Sequence, residues 1–452
     1  MDESAAYQRD GTDLKPGTQM QTTFLCDTDS INLRVPDDAV VYESRFPAPA
    51  APASETVMEA IRNPLGTPPL AECLRSRRSG DVVIVVSDIT RPVPYPSFLA
   101  EMIEDIESAG VDSDQILILV ATGMHRPTTP EEQREMLGEV AEDYRVVNHE
   151  ATDDANLVEL PGKSWAGADV RLDRRFMEAG FRIITGLVEP HFMAGFSGGR
   201  KAVCPGLVAL ETVRQFHGHA FLSNPLARNG NLEGNPLHLE AVSVARMAGV
   251  DFSLNVVMNR ERRVVGAFAG ELEAAHEVAC EFATDCACRT VTEPADVVVT
   301  SSGGYPLDAT FYQCVKGFVS CLPAVRPRGT IIAFGGCSEG VGSTAYDSLM
   351  ERYSGRWRSF LEDIKEPDYF VKDQWQFQFH ARALRKVGQD NLHFVTPGLP
   401  QETLDYLSVN GHSVNGGRVE AALQELVDAA TADGATVAVL PEGPYCAPVP
   451  AD

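Results

Sequence analysis

The chain has 452 residues, of which 44% are hydrophobic, and at roughly 150 residues per domain it is long enough for two or three domains with cores of their own. Its 64 acidic residues outnumber its 38 Lys and Arg residues, and the resulting net charge of −26 argues against a nucleic acid or an anionic membrane surface as a partner. No apolar run is long enough to cross a bilayer and the polar N-terminus lacks the features of a signal peptide, so we expect a cytoplasmic protein.

The cysteines do not indicate a metal site. Ten of them in a chain of this length are too sparse for a disulfide scaffold, so we expect thiols. Cys286 and Cys288 are separated only by Ala287, but no second pair at zinc-ligand spacing accompanies them. We interpret this pair as small packing residues.

The predicted elements begin after a polar N-terminal stretch and an extended Pro/Ala segment at 46–54, which we expect to wrap the surface before the core starts. Apolar, β-branched runs then alternate with segments of helical period, as in an α/β fold with largely parallel sheets. The runs cover residues 81–88, 115–123, 181–188, 251–258, 295–304, 329–336 and 435–443. Amphipathic segments at 97–110 and 236–249 would cover the sheet faces.

The pattern predicts two α/β domains. A helical stretch at 271–283 is followed by a polar segment, after which the alternation of strand and helix restarts at Val297. We therefore place the junction near residues 285–295, between an N-terminal domain of residues 1–288 and a C-terminal domain of residues 289–452.

Ionisable residues follow three successive predicted strands of the first domain. Asp88 and Arg91 follow the first strand, His125 follows the second and His191 follows the third. Open parallel sheets bind ligands beyond the carboxyl ends of their strands. One histidine could remove a proton from a substrate while the other donates one, and Arg91 is suited to a bidentate grip on a carboxylate.

The segment 190–207 is the richest in candidate groups. Ser197, Gly198 and Gly199 precede a predicted helical run, so their N–H groups and the side chain of Arg200 could bind a phosphate. The plain alternative is a glycine turn followed by surface cations.

Two further residues of this region could bind a cofactor. Lys201 could bond covalently to a carbonyl compound or a cofactor, or it could be an exposed helix lysine. His217 could ligate a transition metal, or it could be a hydrogen-bonded structural residue. His219, two positions further on, leaves the choice of ligand open.

The second domain offers a glycine-rich strand end at 302–306 and a helix start at 311–316. Tyr312, Gln313 and Lys316 lie in that helix start and could close over the same cleft. The plain alternative is that Gln313 and Lys316 form one solvated helix face.

In combination, these motifs closely resemble those of the nickel-dependent lactate racemase family, whose members carry a nickel-pincer nucleotide. The matching blocks are DITRPVP at 88–94, ATGMHRPTT at 121–129, residues 186–207, the histidine of QFHGH, LEGNPLH at 232–238 and GGYPLDATFYQCVKG at 303–317. DQWQFQ at 373–378 is also family-like. The resemblance extends over the chain from about residue 20.

The resemblance implies a role for each candidate residue. Lys201 would be tethered through a thioamide to pyridinium-3-thioamide-5-thiocarboxylic acid mononucleotide, and His217 would ligate its nickel. His125 and His191 would be the acid/base pair. The remaining candidates would bind the cofactor (Asp88, Ser197, Gly198, Gly199 and Arg200) or the substrate (Arg91, Tyr312, Gln313 and Lys316).

The activity implied is racemisation of lactate or another short 2-hydroxy acid by proton-coupled hydride transfer, in a cleft between the two domains. The expected partners are this small molecule and the enzymes that make the cofactor, while the sequence carries no signal of oligomeric state. We considered a zinc-type hydrolase that uses His125, His191 and His217, but the sequence lacks H-E-x-x-H spacing. A dehydrogenase would need a G-x-G-x-x-G motif, and a non-catalytic nickel-cofactor carrier would not need both histidines.

Overall fold

The computed structural model describes residues 18–366 and 369–451, which pack as two compact units. The contiguous unit runs from Ser44 to Cys288, and the split unit combines residues 18–43 with residues 289–366 and 369–451. The division after Cys288 falls within the expected junction. Residues 18–43, which we assigned to the N-terminal domain, instead pack with the C-terminal part of the chain.

The first described segment forms a hairpin of β1 (Gln19–Cys26) and β2 (Asp29–Pro36), followed by the short strand β3 (Val40–Val41). Phe24, Leu33 and Val35 are fully buried in the core of the split unit, where the ring of Phe24 lies 5.6 Å from that of Phe334. The core therefore begins before the Pro/Ala segment, contrary to our expectation. Alternate hairpin residues face this core, and the polar residues between them face solvent.

The contiguous unit contains α1 to α10 and β4 to β13. Their bounds are α1 (Ala53–Arg62), α2 (Leu70–Arg75), β4 (Val82–Ser87), α3 (Leu99–Ser108), β5 (Ile116–Ala121), α4 (Pro130–Leu137), α5 (Val140–Asp143), β6 (Arg145–Asn148), β7 (Leu157–Glu159), β8 (Arg171–Asp173), α6 (Arg174–Glu178), β9 (Phe181–Leu187), β10 (Pro190–His191), β11 (Gly195–Phe196), α7 (Leu210–Phe216), α8 (His219–Leu222), α9 (Pro236–Ala248), β12 (Phe252–Met258), β13 (Val264–Gly270) and α10 (Leu272–Ala287).

The main sheet of this unit has the strand order β13-β12-β9-β4-β5-β6. All neighbouring strands are parallel except β13, which runs antiparallel to β12. The central strands β4, β5 and β9 are buried along almost their whole length, as expected for strands covered on both faces. The Pro/Ala segment at 46–54 contains no buried residue and leads into α1.

The rest of the split unit contains β14 to β20 and α11 to α16. Their bounds are β14 (Cys288–Val291), β15 (Ala295–Ser301), α11 (Phe311–Ser320), β16 (Val325–Phe334), α12 (Thr344–Arg352), α13 (Trp357–Asp363), α14 (Gln374–Val387), β17 (Leu392–Thr396), α15 (Gln401–Leu404), β18 (Asn410–Ser413), α16 (Val419–Thr431), β19 (Val437–Leu440) and β20 (Ala447–Pro450).

The main sheet of the split unit has the strand order β18-β17-β16-β15-β19-β3, and all its neighbouring strands are parallel. The predicted α/β class with largely parallel sheets is therefore confirmed. All ten cysteines are thiols, as expected. Within residues 18–366 and 369–451, no helix is both long and apolar enough to cross a membrane.

The role of the hairpin in the core can be tested on two adjacent residues. Phe24→Ala should lower the free energy of unfolding by about 3–5 kcal/mol, because it removes a fully buried ring and leaves a cavity. Leu25 is 42% exposed, so Leu25→Ala should stay within about 0.5 kcal/mol of the parent. Chemical denaturation of the full chain measures both values, and equal effects would contradict the packing described here.

Candidate active site

The carboxyl ends of three neighbouring parallel strands bring the candidate residues to one edge of the contiguous unit. β4 lies between β5 and β9 in the sheet. Asp88 follows β4, His125 lies in the loop after β5, and His191 lies just beyond β9. Consecutive parallel strands end at the same edge, so the chain folds these groups toward one region.

Asp88 and His125 form a hydrogen-bonded pair. His125 Nδ1 lies 2.5 Å from Asp88 Oδ2, the Asp88 side chain is only 5% exposed, and that of His125 is 57% exposed. Burial would raise the pKa of Asp88, but hydrogen bonds from His125 and Thr90 outweigh it and lower the pKa. The ionised carboxylate therefore holds the proton of the imidazole on Nδ1, which leaves Nε2 as the basic nitrogen.

His191 has the opposite tautomer. It lies in the small β10–β11 hairpin, where its Nδ1 accepts hydrogen bonds from the N–H groups of Met193 at 3.2 Å and Ala194 at 3.3 Å. In the neutral ring the proton must therefore be on Nε2. The ring also stacks on Phe192 with a centroid distance of 5.1 Å.

Arg91 lies in the turn after Asp88, and its guanidinium is 4.0 Å from the carboxylate of Glu189. The two side chains are 34% and 38% exposed. An ion pair this long and this exposed contributes little to stability, so it can exchange for a substrate carboxylate at low cost.

Lys201 is an unpaired amine in a cationic environment. Its Nζ has no hydrogen-bond or ion-pair partner among the residues that the structure describes, and the residue is only partly exposed. Desolvation, reinforced by the charges of Arg91 and Arg200, lowers the pKa of Lys201 well below its usual value. These conditions favour the neutral, nucleophilic form of the amine.

His217 ends α7 and belongs to the same cluster. Its Nδ1 donates a hydrogen bond to the carbonyl of Val213 at 3.0 Å, which makes Nε2 the nitrogen with the lone pair. Burial lowers the pKa of His217 to about 4. The ring is therefore neutral at physiological pH, as a metal ligand must be.

Two of the donors expected to bind an anion at residues 197–200 are instead bonded within the protein. The hydroxyl of Ser197 donates to the carbonyl of Leu187 at 2.7 Å, and the N–H of Gly199 donates to Asn255 Oδ1 at 2.8 Å. Gly199 begins a single 3₁₀ turn that ends at Ala202. The predicted long helical run is absent, since α7 starts only at Leu210.

The side chain of Arg200 is buried inside the loop. It donates to the carbonyl of Ala194 at 2.8 Å, and its guanidinium lies 2.7 Å from His276 Nε2. Burial lowers the pKa of Arg200 to about 10, so it stays charged at neutral pH. Arg200 therefore anchors the loop from inside, and its charge acts on Lys201.

Gly198 and Gly199 are required by the packing of this loop. Both have positive φ, at 72° and 50°. A Cβ on Gly198 would meet the side chain of Val188 at 2.6 Å, and one on Gly199 would meet the ring of His276 at 2.5 Å. The glycines thus allow close approach of the loop to β9 and α10.

In the split unit, Tyr312, Gln313 and Lys316 form the partly exposed face of α11. The hydroxyl of Tyr312 accepts a hydrogen bond from the indole N–H of Trp375 at 2.9 Å. Gln313 Oε1 is buried and has no hydrogen-bond partner in the described part of the chain. The substrate roles implied for these three residues stay predictions.

Two residues that help to position this region, Trp375 and His149, were not singled out from the sequence. Trp375 lies in the DQWQFQ motif, but only the fold brings it to Tyr312. His149 directly follows β6 and is buried. His149 would have been found among the ionisable residues that follow strands, but the sequence of β6, RVVN, is too short and too polar to be recognised as a strand.

Two family models match the chain, the lactate racemase N-terminal domain over residues 26–230 and the lactate racemase C-terminal domain over residues 290–445. The lactate racemases of Lactiplantibacillus plantarum and Thermoanaerobacterium thermosaccharolyticum are each 36% identical to it over 343 residues, which is 73% of this chain and 77% of each relative. The chain belongs to the lactate racemase family. It is therefore an enzyme of the isomerase class, and neither a zinc hydrolase nor a non-catalytic carrier.

Solved structures show the same fold. The lactate racemase apoprotein from T. thermosaccharolyticum superposes with a TM-score of 0.85 at 29% identity, covering 96% of this chain and all of the other. A protein from Thermotoga maritima superposes with a TM-score of 0.63 at 19% identity, covering 91% of this chain and all of the other. The second likeness concerns the fold alone.

A pair of glycine variants tests the packing role of the loop. Gly199→Ala should lower the free energy of unfolding of the apoprotein by about 2–4 kcal/mol, because it adds both strain at positive φ and overlap with His276. Gly167 has a φ of +79° but open space around its Cβ position, so Gly167→Ala should cost only about 1 kcal/mol. Thermal unfolding of the two variants distinguishes them, and equal losses would argue against the overlap.

Proposed function

We propose that the chain is a nickel-dependent racemase of a short 2-hydroxy acid, with lactate as the first candidate, that acts by proton-coupled hydride transfer. The observation that carries the proposal is the pair His125 and His191, whose neutral rings have opposite tautomers at one sheet edge. His125 presents a basic Nε2 and His191 an Nε2–H group, so one sheet edge carries both a proton acceptor and a donor for the substrate oxygen. The relatives that are named lactate racemase support this choice of substrate.

The residues present fit a nickel-pincer nucleotide. The amine of Lys201 is unpaired and its pKa is lowered, which suits a covalent tether. His217 is neutral and its Nδ1 is bonded to Val213, which orients Nε2 as a ligand. When bound, this cofactor would supply a carbon centre that accepts hydride from C2 of the substrate and returns it. Separate biosynthetic enzymes would provide the cofactor.

The protein's own side chains would manage the proton and the carboxylate. Arg91 would exchange its long contact with Glu189 for a bidentate grip on the substrate carboxylate. His125 would accept the hydroxyl proton on Nε2, with Asp88 stabilising the resulting imidazolium. His191 would take a proton from solvent and, as the imidazolium, would return the proton on its Nε2 to the substrate oxygen. One proton would thus be taken up at His125 and one released at His191, and exchange with water would restore both rings.

The fate of the C2 hydrogen tests this mechanism. Cofactor-loaded protein should racemise a single enantiomer of lactate that carries deuterium at C2, and chiral chromatography with mass detection should find the deuterium retained in the product. Retention is expected because hydride held on carbon does not exchange with water, whereas protons on histidine nitrogens do so rapidly. Extensive washout into solvent would point to direct proton abstraction by His125 or His191 and would overturn the hydride proposal.

The metal ligand can be assigned with neighbouring histidines. His217→Ala should lose most of the nickel bound by cofactor-loaded protein, because the neutral Nε2 is removed. His219→Ala is the matched control, and it should retain nickel with at most about a tenfold loss of affinity. Elemental analysis after gel filtration measures both, and the reverse pattern would reassign the ligand to His219.

A further inference from the structure

His149 is a buried histidine whose two ring nitrogens both face hydrogen-bond acceptors. It directly follows β6, and its side chain is fully buried. Nδ1 lies 3.0 Å from the carboxylate of Asp173, and Nε2 lies 3.1 Å from the carbonyl oxygen of Val208. Neither a carboxylate nor a carbonyl can donate, so both hydrogen bonds need a proton on the histidine side.

Neutral forms of the ring do not satisfy this geometry. A ring with a single proton would turn one nitrogen lone pair toward an oxygen lone pair at hydrogen-bond distance, in a site without solvent. Protonating Asp173 instead is unfavourable. Burial would raise the pKa of this carboxyl, but hydrogen bonds from Arg175 and His149 outweigh it and lower the pKa.

We propose that His149 is a doubly protonated positioning residue that holds Val208, and through it the segment between Lys201 and His217. The proposal rests on the proposed function only where it concerns the roles of those two residues. The double protonation of His149 and its hydrogen bond to Val208 are inferred from the geometry alone.

The backbone around Val208 shows what this contact holds. The carbonyl of Leu207 accepts from the N–H of Asp173 at 3.0 Å, and the N–H of Ala209 donates to the carbonyl of Arg171 at 2.9 Å. Ala209 immediately precedes α7, the helix that ends at His217. The imidazolium of His149 thus fixes the point at which the loop from Lys201 joins the helix of the proposed nickel ligand.

His149 also reaches the loop that carries His125. Its own carbonyl accepts a hydrogen bond from the hydroxyl of Thr122 at 2.5 Å, and its N–H donates to the carbonyl of Val120 at 3.0 Å. Thr122 lies three residues before His125. One residue therefore ties together the ends of β5 and β6 and the segment before α7.

The charges around His149 suit a cation. Asp173 is almost fully buried, and it also binds Arg175 through both carboxylate oxygens, at 2.9 and 2.5 Å. Arg175 in turn feels the charges of Asp153 and Glu150. The buried carboxylate of Asp173 therefore opposes the charges of both His149 and Arg175, while Asp153 and Glu150 act on Arg175.

The protonation state of His149 can be measured directly in the apoprotein. Selective ¹⁵N-histidine labelling of the full chain, with assignment from the signals that His149→Gln loses, should show both ring nitrogens of His149 with the chemical shifts of protonated nitrogen at neutral pH. An unprotonated shift for either nitrogen would overturn the proposal. Because no cofactor or substrate is present, this result is independent of the racemase activity.

Two amide substitutions separate the contacts of His149. An Asn side chain can replace Nδ1 and keep the bond to Asp173, whereas a Gln side chain reaches the position of Nε2 and can keep the bond to Val208. We expect His149→Asn to speed amide hydrogen exchange in residues 207–213 by about tenfold or more, and His149→Gln to stay closer to the parent. His412→Asn, in the split unit, is the control and should leave this exchange unchanged.

Turnover of the cofactor-loaded enzyme provides a second measurement. Turnover should fall by about a hundredfold in His149→Asn and recover substantially in His149→Gln. KM should stay nearly constant in both variants, because His149 positions other residues and does not itself bind the substrate. Equal exchange and equal turnover in the Asn and Gln variants would show that Val208 is not the contact that matters. If neither the parent nor any variant racemises its substrate while the exchange difference persists, the proposed function fails and the positioning role stands.

Discussion

The partial burial of Lys201 and His217 is the constraint on which the rest of the site depends. A charged amine at the position of Lys201 loses hydration that the described residues do not replace, and the positive charges of Arg91 and Arg200 further destabilise the charged form. The same surroundings keep His217 uncharged. Both shifts favour the form with a free lone pair, which the proposed tether at Lys201 and the proposed metal ligand His217 require.

The loop between β9 and α7 sets up this environment. Arg200 is held inside the loop by carbonyl groups and by His276, so its positive charge remains near Lys201 without reaching a ligand. Because Gly198 and Gly199 have no side chain, the loop packs closely against the sheet and α10. In this segment Arg200 therefore anchors the loop and lowers the pKa of Lys201, whereas the phosphate binding that the sequence suggests stays a prediction.

Much of the fold could be predicted because its signal is local. All seven apolar, β-branched runs are strands, since continuous burial on both faces requires continuous apolar sequence. The hairpin of β1 and β2 was not predicted, because alternate polar residues mask the buried positions Phe24 and Leu33. Strand β6 was missed because only four residues, half of them polar, form it.

The placement of Asp88, His125 and His191 at one sheet edge was predictable, because each follows a strand. Contacts were not predictable where the partners are distant in sequence. The N–H of Gly199 is bonded to a side chain 56 residues away and Arg200 to one 76 residues away, so the residues near the glycines could not reveal that their donors are occupied. The role of His149 depends in the same way on Asp173 and Val208.

The central claim, that the fold makes the amine of Lys201 neutral and reactive, is tested most directly by trace acetylation of the apoprotein across a range of pH, with each lysine quantified by peptide mass spectrometry. The account predicts that Lys201 reaches its full reactivity well below the pH at which Lys163, whose side chain is 58% exposed, does so. A reactivity of Lys201 that rises with pH in parallel with that of Lys163 would contradict the account.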